Sequence, residues 1–151
     1  MDYSNASLAS RFQRFIGALI DGLISMAIIF PIIHLLGIWK TMMTGEELSL
    51  AHEITLFIMW QISFLVVNSY LLVKHGQTIG KKFAQTRIVR VSDGTIPPLS
   101  TIFGLRFFPI SLASQIPIAG HILMLADCLF IFRGDKRCIH DWIAGTKVVN
   151  T

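Results

Sequence analysis

The chain has 151 residues, of which 53% are hydrophobic and only 15% charged, and its mean hydropathy is +0.63. Soluble domains carry about 25% charged residues, so this composition excludes an ordinary water-soluble core and points to an all-α integral membrane protein. The formal net charge of +4 does not indicate nucleic acid, because the basic residues lie between apolar runs and form no nucleic-acid-binding motif; they read as topology signals.

The length fits one domain, residues 1–151. Cys128 and Cys138 have neither CxxC spacing nor a histidine in metal-ligand spacing, which predicts free thiols, no metal and no cofactor. The first apolar run is too long for a cleavable signal peptide and lacks a small-residue cleavage site, so it is expected to remain as a helix.

In chain order, residues 12–39 form the first predicted span. It carries Arg14 and, seven residues on, Asp21 on the same helical face, about 10 Å apart along the axis. Gly17, Ala18, Gly22 and Ser25 cluster around that face and permit close helix approach. Pro31 is expected to kink the span or end its regular part. Residues 41–53, with Glu46, Glu47 and Glu53, form the acidic loop. The second span, 54–73, bears Gln61 and Asn68. A basic loop follows over 74–98, with a short strand possible at 86–91. The apolar runs 99–114 and 116–132 make two short spans or a hairpin that enters the membrane and returns, and 133–151 is a basic tail.

Eleven of the thirteen lysines and arginines fall in the N-terminal segment, the middle loop and the tail. The positive-inside rule therefore predicts four transmembrane helices with both termini cytoplasmic, in a multi-pass protein of the cell inner membrane.

Counted inward from the predicted cytoplasmic boundaries, Asp21, Asn68, Arg106 and Asp127 all fall about 9–11 Å deep. An ionisable group there costs about 3 kcal/mol or more unless paired or hydrated. This predicts a polar layer with Arg106 between Asp21 and Asp127 and with Asn68 completing the hydrogen bonds. Such a layer is either a structural clamp or, since one negative charge is left over, a cation or proton site. His34 and His121 are expected to be packed, and His52, His75 and His140 solvated or interfacial. Gly76-Gln77-Thr78-Ile79-Gly80-Lys81-Lys82 has the wrong glycine spacing and no Ser or Thr after Lys81, which excludes a phosphate loop. No nucleophile arrangement is present, so no enzyme is expected.

Several stretches together resemble the RDD family of small membrane proteins. Arg14 and Asp21, with the intervening Gly17-Ala18-Leu19-Ile20, match the motif of its first helix. The Gly76–Lys82 stretch with Arg87-Ile88-Val89 and Asp93-Gly94 is similar to its loop after the second helix, Arg106 to its third-helix arginine, and His140-Asp141-Trp142-Ile143-Ala144-Gly145-Thr146 to its C-terminal signature. The resemblance implies motif residues Arg14, Asp21 and a second aspartate. The signature favours Asp141 for this last, whereas membrane depth favours Asp127. It further implies transport, with sodium–proton exchange as one form, and an alternative role as a non-transporting interaction or assembly protein that binds other membrane helices. Expected partners are the lipid bilayer, a monovalent cation or proton, and a second copy in a homodimer, because four helices are few to enclose a pathway.

Overall fold

The computed structural model describes residues 3–151. Ser10 opens the first helix, α1 (Arg11–Leu35), by a capping box: its hydroxyl accepts from the Gln13 N–H, and the Gln13 side chain accepts from the Ser10 N–H. Pro31 lies inside α1 without ending it. The break comes at Gly37, whose φ of 72° starts α2 (Ile38–Thr44). The span expected over 12–39 is thus two helices, because a left-handed residue cannot continue an α-helix. Phe30 and Trp39 meet edge to face across that turn, 5.1 Å between ring centres.

The third helix, α3 (Leu50–His75), starts four residues before the predicted span, since Ser49 caps it by accepting from the His52 N–H. Gly76 ends it with φ 64°, and a Cβ there would lie 2.6 Å from the Ile88 carbonyl oxygen. The chain then makes α4 (Ile79–Phe83), β1 (Thr86–Arg90), α5 (Leu99–Ala113), α6 (Ala119–Phe132), α7 (Ile139–Ile143) and β2 (Thr146–Asn150). Helices α1 and α3, with 25 and 26 residues, exceed the about 20 residues that cross a bilayer. Helices α5 and α6 fall in the 10–17 residue range.

The chain is mostly helical, but the all-α expectation needs one correction. β1 and β2 pair antiparallel, Thr86 opposite Asn150 and Arg90 opposite Thr146, and Leu8 bridges to Val149. Alternation in 86–91 hinted at β1, whereas β2 went unseen because Thr146–Asn150 is too short to declare a period. The sheet ties the N-terminal segment, the middle loop and the tail into one polar cap at one end of the bundle.

Most of the best-buried apolar side chains lie at this cap and its junction with the helices: Leu72, Ile88, Val89, Ile102, Val148 and Val149 are at 0–2% exposure, while Ile38, at 1%, is buried at the start of α2. The long helices instead present large apolar side chains outward, Phe15, Leu23, Met26, Ile62 and Val66 among them. Lipid is the solvent that makes such an arrangement stable.

Candidate functional site at the cap–bundle junction

Helix α5 contains a π-helical stretch, Ile102–Phe107, closed by a bond from the Phe108 N–H to the Phe103 carbonyl. Pro109 supplies the cause, for it has no N–H and its ring crowds the carbonyl of Leu105, so the turn before it widens. Arg106 lies in this widened turn and is only 3% exposed.

Its guanidinium donates to Asp141 Oδ1 and, at 2.8 Å, to Thr146 Oγ1. Arg14 from α1 donates to the other oxygen of the same carboxylate at 2.5 Å. A third donor, the Cys138 N–H, reaches that oxygen at 3.1 Å and fixes the first turn of α7. Asp141 is 0% exposed. Burial alone would raise its carboxyl, but Arg106 and Arg14, with His140, outweigh that and hold it well below the usual carboxylate range.

The predicted clamp of Arg106 between Asp21 and Asp127 is therefore corrected, because the arginine bonds Asp141. The other members of the predicted layer are each met by the cap. Asp21 accepts from the Gly80 N–H at 2.7 Å and from Thr78 Oγ1 at 2.5 Å. Asn68 accepts from the Ile79 N–H at 3.0 Å and donates to the Phe64 carbonyl at 3.2 Å. Asp127 accepts from the His140 N–H at 2.8 Å and lies 2.6 Å from His140 Nδ1. Backbone N–H groups satisfy a carboxylate without desolvating a second charge, which favours this over a shared arginine. His140, expected to be solvated, is part of the junction. Burial and then Arg106 lower its pKa against the pull of Asp127 and Asp141, so it is neutral near pH 7.

A cavity of about 550 Å³ opens between α1 and α6, walled by Phe12, Phe15, Ala18, Ile131 and Phe132 and floored by Arg14, Lys81, Arg106, Asp127, Cys138 and His140. Arg11 closes one edge by donating to the Ile131 and Phe132 carbonyls at the end of α6. The Lys81 ammonium on this floor forms no hydrogen bond or ion pair among the described residues, and its pKa falls from 10.5 to about 8. Burial is the main cause and Arg106 the next, opposed by Asp21. Burial also pushes the Cys138 thiol up to about 12, against the pull of Arg14.

Sequence spacing hid Thr78, Gly80, Lys81, Cys138, His140 and Thr146 from the site, since each is placed by the cap folding onto the helix ends. The same folding brings Cys138 and His140 to Asp127, their ligand-type atoms all within 4.8 Å of one another. The spacing of cysteines and histidines alone did not suggest that cluster.

Apolar helices that expose their large side chains, closed at one end by a polar cap whose buried charges meet at Asp141, define a small helical membrane protein. The sequence model of the RDD family matches residues 8–145, nearly the whole chain, and the protein belongs to that family. No curated protein and no solved structure matches it.

Proposed function

We propose that this RDD protein is a transporter, not an enzyme, and exchanges a monovalent cation such as sodium for a proton, with Lys81 carrying the exchanged proton. The observation behind this is the unpartnered ammonium on the cavity floor. Around it stand Arg14 and Arg106 with Asp21, Asp127 and Asp141, so three cations face three carboxylates while Lys81 is charged. Loss of its proton leaves one carboxylate in excess, and a monovalent cation entering the cavity restores neutrality. One proton leaves as one cation enters, which suits an exchanger that works near pH 8. Asp21 is the carboxylate that the neutral lysine leaves least compensated, since Asp141 keeps two guanidinia. Four membrane helices, two of them short, enclose little of a pathway, so the exchanger acts as a homodimer in the cell membrane.

The test is ion flux in proteoliposomes, read by a trapped pH dye while sodium, lithium or potassium gradients are imposed. Wild type should move protons against one of these ions, with activity rising between pH 7 and 9. Lys81→Arg, which keeps its charge throughout that range, should be folded and inactive. Absence of coupled flux in wild type between pH 6 and 9, or full activity in Lys81→Arg, would overturn the proposal.

A further inference from the structure

We infer that Asp127, Cys138 and His140 form a binding site for a single zinc-class divalent cation at the floor of the α1–α6 cavity. The three side chains come from two elements, Asp127 from the buried face of α6 and the other two from the start of α7, where Cys138 is the N-cap. Carboxylate oxygen, thiol sulfur and imidazole nitrogen already lie within 4.8 Å of one another. Tetrahedral zinc has bonds of about 2.0–2.3 Å, which sets its ligand atoms roughly 3–4 Å apart. Asp127 Oδ2 and His140 Nδ1, now 2.6 Å apart, need to part by only about 1 Å to admit it. A thiolate with an imidazole favours zinc over magnesium, calcium or an alkali ion.

The surroundings are those of a metal site. Arg14 Nη2 donates to Cys138 Sγ at 3.3 Å, a bond that a thiolate strengthens. His140 Nε2 lies 3.9 Å from Asp141 Oδ2. When zinc takes Nδ1, the proton held there moves to Nε2, which has to close on Asp141 Oδ2 by roughly 1 Å to donate it a hydrogen bond, as metal-bound imidazoles do to outer carboxylates. The thiol proton leaves to water. The thiolate and the Asp127 carboxylate coordinate the ion, while Arg14 and Arg106 stay paired with Asp141. All three ligands line the cavity, so water can take the fourth position.

The experiment uses the full chain, reduced, in nanodiscs of zwitterionic lipid, with zinc chloride or cobalt chloride as the only added ligand. One equivalent of zinc should bind per chain and raise the melting temperature, and cobalt should give a thiolate-to-metal charge-transfer band. Cys138→Ala should abolish the band and weaken zinc by more than the roughly 10- to 100-fold that loss of an outer partner costs. Cys128→Ser, at an exposed thiol, should change neither. Lack of stoichiometric zinc, or lack of the cobalt band in the wild-type chain, overturns the inference without any variant having to fold; so does a band that follows Cys128. Neither readout depends on ion exchange.

Discussion

Asp141 is held by two guanidinia at once and is wholly buried, so at the scale of single residues it is the group whose loss should matter most. Asp141→Asn leaves Arg14 and Arg106 buried with one neutral partner between them, and breaking a buried pair from one side costs about 3–5 kcal/mol. Asp127→Asn should cost clearly less, since its remaining carbonyl oxygen still accepts the His140 N–H. Thermal unfolding of the two variants in mild detergent checks the order, and equal losses would contradict it. Lys81 supplies the pH dependence. Its folded pKa of about 8 lies below the unfolded 10.5, so between those values the unfolded chain binds more protons and stability rises with pH. Below pH 8 the charged lysine costs the fold up to about 3 kcal/mol, less what water in the cavity screens. Lys81→Met should therefore stabilise the protein at pH 7 and remove the rise between pH 8 and 10.5, as paired melting curves across that range would report.

At the scale of elements, the contact between α1 and α4 sets the height at which the cap meets the bundle. A Cβ on Gly80 would lie 2.0 Å from the Gly17 carbonyl oxygen and 2.8 Å from the Asp21 carboxyl carbon. Gly80→Ala must push the two helices apart or lengthen the Asp21 bonds, and overpacking of this kind costs about 1–3 kcal/mol. Gly22→Ala, facing open space, should cost little or nothing, and melts of the two in parallel test the contact. Of the small-residue face expected on α1, Gly17 packs on Gly80 and Gly22 on nothing; that Asp21, Asn68, Arg106 and Asp127 each need a polar partner was legible in the sequence. What they bond to was not. Helical periodicity reports which residues share a face and how deep they lie, whereas the partners here come from loops: the Gly80 and Ile79 N–H groups, the His140 N–H and Asp141. Arg106 was misread for a further reason, because the π-helical stretch before Pro109 alters the rotation that a regular helix would give it. The family signature, by contrast, contained Asp141, and that is the carboxylate to which both arginines turn.

The sheet constrains the whole molecule more than any single helix does. Leu8, β1 and β2 hydrogen-bond to one another, so the N-terminal segment, the middle loop and the tail must lie on the same side of the membrane. Helix α1, at about 1.5 Å per residue, is long enough to cross; if it does, α3 has to bring the chain back, with Glu46 and Glu47 on the far side. The stretch between β1 and β2 then has to cross an even number of times, either as two short spans through α5 and α6 or not at all as a hairpin. From the basic residues gathered on the sheet side, the positive-inside rule leads us to expect that side in the cytoplasm. In a chain lacking Cys128 and Cys138, single cysteines at Ser49 and Ser92 should react with an impermeant reagent from opposite faces, Ser49 from outside and Ser92 only after the membrane is opened. A cysteine at Gln115, between α5 and α6, separates the two remaining cases. Two spans bring it to the outer face, where it labels with Ser49, and this is the outcome expected of four crossings. A re-entrant hairpin shields it from the outer reagent. Labelling of Ser49 and Ser92 from one face would contradict the span count, and, with α1 crossing, the sheet as well, since α1 crossing alone would part Leu8 from Val149.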